Sequence, residues 1–139
     1  MIHFFYEECV PLSKEHEISA IKSTELIDNE GFIIGYINII FCSDDYLLSI
    51  NKTHLNHDYY TDIITFSFND EKEISGDLFI SVDRAKDNSE INNETFLNET
   101  SRLVIHGLLH LCGYNDKTDA QCKIMRSKEN QYLKMIGFT

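Results

Sequence analysis

Nothing in this chain reads as a membrane anchor, because no apolar run approaches the roughly 18 residues needed to cross a bilayer. The opening stretch Met1–Tyr6 also lacks the basic flank and small-residue cleavage pattern of a secretory signal. A soluble, cytoplasmic protein is expected. Cysteine is present but unpatterned: Cys9, Cys42, Cys112 and Cys122 form no C-x-x-C pair, which speaks against a zinc knuckle or a dense disulfide scaffold. Reduced, mostly buried thiols are the expectation. Basic residues are scarce, 12 Lys and Arg against 23 Asp and Glu for a net charge of −11, a poor overall balance for a polyanionic partner. Internal repeats, linkers and low-complexity tracts are missing too. The 139 residues, 42% of them hydrophobic, suit one domain spanning 1–139 with one core and one active site.

The charge is unevenly spread. From Ser101 onward six basic residues (Arg102, Lys117, Lys123, Arg126, Lys128, Lys134) face three acidic ones (Asp116, Asp119, Glu129), whereas the first hundred residues carry six against twenty. Such asymmetry points toward nucleic acid at the C-terminal third.

Periodicity outlines four strands. Ile2–Tyr6 is a short apolar run, Phe32–Phe41 is rich in Ile and aromatic residues, Ile63–Phe68 alternates with Ile64, Phe66 and Phe68 on one face, and Leu78–Val82 repeats the strand signal. The acidic turn formers of Asn69–Gly76 join the last two runs as an antiparallel hairpin. A helix from Ser13 to about Glu30 is expected to turn Ile18, Ile21 and Leu26 inward. Ser43 caps a second helix whose apolar side is Leu47, Leu48 and Ile50. Phe96–Cys112, with few charges, reads as a buried helix ended by Gly113. Thr118 to Met135 reads as a final amphipathic helix burying Ala120, Ile124, Met125, Tyr132 and Leu133.

Chemistry concentrates in Ile105–Asp116. His106 and His110, four apart on a helix, project from one face, the spacing that a single zinc ion requires. At about 100° per residue Cys112 falls about 240° away from His106, which makes it a poor third ligand. A chain leaving the helix at Gly113 can fold back over its end, and Asp116 is the first good oxygen ligand it reaches. Three protein ligands leave one position for water, as in a catalytic zinc site, so hydrolysis is the natural reaction class. A peptidase of the H-E-x-x-H type needs a glutamate where this chain has Gly107.

The segment His106–Asp116, HGLLHLCGYND, resembles the signature H-G-x-L-H-L-x-G-Y-D-H of the YbeY family of zinc-dependent endoribonucleases and ribosomal RNA maturation factors. Thr61–Phe66 resembles the family's T-D-V-L-S-F block and Gly76-Asp77-Leu78 its G-D-I block. The resemblance implies an α+β fold with a small mixed four-stranded sheet, one strand antiparallel, flanked by about five helices. The metal site then lies on a buried helix and its following loop. It further implies one zinc per chain at His106, His110 and Asp116, and single-strand-preferring cleavage of RNA, with ribosomal RNA and the small ribosomal subunit as partners. Two departures stand out. Asp116 occupies the place of the signature's last histidine, and Leu55 occupies the place of a basic residue six positions before the T-D-V-L-S-F block.

Arg102, Lys117 and Lys52 are the candidates to hold substrate phosphate, while Asp62 and Asp77 either orient ligands or cap turns. His54 and His57 sit in a polar loop and read as solvated histidines. A zinc hydrolase of another substrate class, such as peptide, and a non-catalytic ribosome assembly factor with a structural zinc remain open, as does the oligomeric state.

Overall fold

Four strands alternating with helices set the architecture, in the order β1 (Ile2–Glu7), α1 (Lys14–Ser23), α2 (Glu25–Asn29), β2 (Ile33–Cys42), α3 (Asp44–Leu55), β3 (Ile63–Ser67), β4 (Glu73–Ser81), α4 (Val82–Ile91), α5 (Phe96–Leu111) and α6 (Asp119–Met135). The computed structural model describes residues 1–138; residue 139, the end of the expected domain, lies outside the described residues. The sheet runs β1-β2-β4-β3, with β1, β2 and β4 parallel and β3 antiparallel to β4. This is the expected mixed α+β sheet.

Strand β2 is central and covered on both faces. Ile37, Ile39 and Phe41 enter the main core, while Ile40 and Cys42 enter a smaller cluster with Leu47 of α3 and Ile64 of β3. Burial on both sides explains its continuous apolar run. The main core is organised by α5, whose Leu103, Val104, Ile105, Leu108, Leu109 and Leu111 are all buried. Each such side chain contributes about 1.5–3 kcal/mol when fully removed from water. Thr95 caps its start, the Thr95 hydroxyl accepting from the Asn98 amide at 3.0 Å. Its end is a Schellman turn, with Gly113 at φ 104° donating to the His110 carbonyl and Tyr114 to that of Leu109.

Several local expectations are corrected. The first helix breaks at Thr24, whose hydroxyl and amide both turn back to the Ile21 carbonyl. Ile18 and Ile21 are half exposed, because α1 meets α5 through His16, Ser19, Ala20 and Ser23. There the His16 Nδ1 lies 2.7 Å from the Thr100 hydroxyl and the Ser19 hydroxyl 2.6 Å from that of Ser101. Small, mutually satisfied polar groups let the two helices approach closely, so the isoleucines point away. Leu26 is buried as expected.

On α6 the buried face is Met125, Glu129, Tyr132 and Leu133, which leaves Ile124 and Ala120 exposed. Strand β4 begins earlier than its apolar run, because the turn closes within Asp70–Glu73 by reciprocal backbone hydrogen bonds of 3.0 and 2.8 Å. Phe68 lies beyond β3 and is exposed. Helix α4 follows at once, with a Ser81 cap accepting from the Arg84 amide. Its buried side is only Ala85 and Ser89, too slight an apolar stripe to stand out in the sequence. The four thiols are free as expected, though only Cys42 is fully buried and Cys122 is exposed. Among the described residues, no helix is long and apolar enough to cross a membrane.

Candidate metal centre

His106 and His110 leave the same edge of α5, and the Gly113 turn sends the chain back so that Asp116 reaches them. The Asp116 loop is held from the far side by α6: the Cys122 thiol donates to the Asp116 carbonyl, and Gln121 completes a capping box with Thr118. The resulting geometry is tight. Nε2 of His106 and Nε2 of His110 are 3.0 Å apart, and Oδ2 of Asp116 lies 3.3 Å from the first and 3.2 Å from the second. Three atoms bonded to zinc at about 2.0–2.1 Å with tetrahedral angles would be roughly 3.3 Å apart, so the donor set fits such an ion. Neutral imidazoles that converge lone pair to lone pair with a carboxylate oxygen are stable only around a proton or a cation. Among the described residues, these three are the only group of His, Cys, Asp or Glu so arranged. Cys112 packs against the core and takes no part.

The triad opens into a cleft of about 460 Å³ between the C-terminal part of α3, the following loop, strand β3 and α5. Asn51, Leu55, His57 and Tyr59 form one wall, and Thr61–Thr65 with Ser67 the floor. Tyr59 and His57 stack with centroids 5.0 Å apart, and both rings are exposed. His54 is not in a loop as expected but on the last turn of α3, where it packs edge-on against Phe66, so it forms no pair with His57.

Behind the triad sits a residue that sequence reading counted only as a charge. Glu129 of α6 is 5% exposed, and its Oε2 accepts from Nδ1 of His106 at 2.7 Å while its Oε1 accepts from Arg102 at 3.0 Å. Burial alone would lower the His106 pKa, but the hydrogen bond to Glu129 and the nearby carboxylates outweigh it and hold it above the usual histidine value. Burial would likewise raise that of Glu129, but the bonds from His106 and Arg102 keep it below the ordinary carboxylate range. The available signal was an acidic residue at i+4 from Met125 and i−3 from Tyr132, on the apolar stripe of α6.

The expected phosphate cations are spread out. Arg102 is engaged by Glu129 and lines a second cavity with Asp62, Glu99, His106 and Arg126. Lys52 pairs with Asp58 at 3.3 Å on the surface. Lys117 adjoins Asp116 and is exposed, its side chain without a partner among the described residues. Asp62 lines both cavities and accepts from Asn88, whereas Asp77 is bonded by Asn38 across the sheet, away from the cleft.

Fold and donor set together define a small α+β protein with, at the edge of its cleft, a group of three donors that could hold a metal ion. Residues 12–137 match the family model described as Endoribonuclease YbeY. The Endoribonuclease YbeY of Flavobacterium johnsoniae is 45% identical over 136 residues, covering 98% of this chain and 97% of the relative. That of Parabacteroides distasonis is 48% identical over 135 residues, covering 95% and 94%. The solution structure of TM1509 from Thermotoga maritima superposes with a TM-score of 0.71 at 29% identity, over 98% of this chain and 89% of that one. The chain belongs to the YbeY family of endoribonucleases, hydrolases that act on RNA.

Proposed function

We propose that this endoribonuclease is a zinc enzyme of the cytoplasm that cleaves single-stranded RNA in the maturation and quality control of small-subunit ribosomal RNA. One ion per chain is held by His106, His110 and Asp116, and residues 1–139 act as one catalytic domain. The observation that carries the reading is the triangle of 3.0, 3.2 and 3.3 Å formed by the three donor atoms at the edge of the cleft. The chemistry zinc supplies when bound is polarisation of a phosphoryl oxygen and activation of water.

The chain's own residues supply the rest. His106 and His110 present lone pairs from one helix edge, and Asp116 adds a carboxylate oxygen as the third donor. The cleft lies in the size range of small-ligand sites and has stacked aromatic rings on one wall. Unpaired bases can be splayed out and stacked on such rings, whereas a duplex keeps its bases stacked inside. Tyr59 and His57 are the surface for that stacking. Lys117 is the cation best placed to meet phosphate beside Asp116. Lys52 can exchange Asp58 for phosphate readily, since exposed ion pairs contribute only about 0–1 kcal/mol. Arg102 contributes positive potential from behind the site.

Metal analysis and RNA cleavage, wild type against His110→Ala, test the reading. Wild-type protein should hold about one equivalent of zinc, and the variant should lose both metal and cleavage with a largely unchanged far-UV CD melt. A variant that cleaves normally would refute the site. A large fall in melting temperature would mark the zinc as structural, because the binding energy of such an ion is folding energy.

A further inference from the structure

We infer that Glu129 is a positioning residue that fixes the tautomer and ring orientation of His106 for metal binding; the inference rests on the metal reading above. A carboxylate can only accept, so the 2.7 Å contact places the proton of His106 on Nδ1 and leaves the Nε2 lone pair directed at His110 and Asp116. Metal-bound histidines characteristically use their second ring nitrogen in this way. Glu129 is itself fixed. It is 5% exposed, and Oε1 is occupied by Arg102 at 3.0 Å, with Arg126 a further 3.6 Å contact.

The two oxygens therefore divide their work, one anchoring the carboxylate to the side chain of Arg102 and the other steering the imidazole. Because Oε2 meets the ring at Nδ1, on the side away from the donor triangle, Glu129 is not a fourth ligand. A metal held by the three donors would be reached from the cleft that His106, His110 and Asp116 line.

A purely structural tether between α5 and α6 is a weaker account. A buried ionic network is often no more stabilising than apolar residues of similar volume, and α5 and α6 already share Met125, Tyr132 and Leu133 with the core. The two histidines are also unequal. Among the described residues, Nδ1 of His110 has no hydrogen-bond partner, whereas that of His106 is held by a buried, anchored carboxylate.

The test is zinc affinity, measured by competition with a chromogenic chelator well below the melting temperature of each apo-protein. Variants are Glu129→Gln, His106→Ala and the double variant, with Glu129→Asp as the fallback if Gln disturbs folding. Glu129→Gln should weaken zinc binding by about 10- to 100-fold, the range seen for such supporting groups. The same change should add little in the His106→Ala background, because a residue acting through His106 has nothing left to position. Nitrogen-15 NMR of the ring nitrogens should find the neutral form of apo His106 protonated on Nδ1 in the wild type and redistributed between the two nitrogens in Glu129→Gln. Wild-type affinity in Glu129→Gln would overturn the inference, as would an equal loss with and without His106. If the wild type itself takes up no zinc, the metal reading falls first and this one with it.

Discussion

Gly107, the residue after the first histidine, is where the packing of α5 can be tested most sharply. A Cβ built there would lie 2.7 Å from Leu78 Cδ2, 2.8 Å from Leu78 Cγ and 3.0 Å from Ile63 Cδ1. Leu78 is fully buried in β4 and Cγ is its branch point, so the clash cannot be relieved by swinging a chain end into solvent. In an open helix Gly→Ala would stabilise by about 1 kcal/mol, but forcing a methyl into a packed core costs about 1–3 kcal/mol. With contacts this short the upper part of that range applies, for a net loss of about 1–2 kcal/mol and a melting temperature lower by about 3–8 °C. Thermal and urea unfolding of Gly107→Ala measure it.

A double-mutant cycle isolates the cause. In a Leu78→Ala background both Leu78 atoms are gone, so Gly107→Ala should become neutral or stabilising. An undiminished loss in that background, or a more stable single variant, would refute the close approach of α5 to the sheet. Gly76 lies under the same helix, where a Cβ would meet the Phe66 carbonyl at 2.5 Å and Leu111 Cδ2 at 2.8 Å. The two glycines of the sequence blocks thus let α5 sit flush on β3 and β4, which sets where its histidines emerge.

Two further outcomes are expected. Asp116→His should retain zinc while Asp116→Ala loses it on gel filtration, since only the second removes a donor; full retention by Asp116→Ala would place the third ligand elsewhere. Glu30 tests the pH dependence. Burial would raise its pKa, but hydrogen bonds from Tyr114, Tyr132 and Lys128 hold it below the usual carboxylate value. A depressed folded pKa contributes stability above the unfolded value and loses it as pH falls through the folded one. Glu30→Gln should therefore be less stable than wild type near neutrality, with the gap closing as pH falls from about 5 to 3. Urea midpoints across that range give the answer, and a pH-independent gap would refute it.

Much of the site is written in short-range patterns. Two histidines four apart share a helix edge whatever surrounds them, Gly113 stops that helix through a backbone conformation few other residues tolerate, and Asp116 follows within one loop. Caps at Ser43, Thr95 and Thr118 act over three residues, and the strands of the mixed sheet follow from apolar runs of one or two faces. These features depend on neighbours within a turn or two, so the chain alone determined them. Where apolar residues are few the local signal fails: α4 buries only Ala85 and Ser89, and α1 turns its serines inward and its isoleucines outward because α5 offers Thr100 and Ser101 as partners. Glu129 lies 23 positions after His106, and only the angle at which α6 crosses α5 brings its carboxylate to the ring. That crossing is set by the whole core and by no single segment. Tertiary structure alone therefore decided which carboxylate backs the first histidine, which of the candidate cations are tied up in ion pairs, and which aromatic rings wall the cleft.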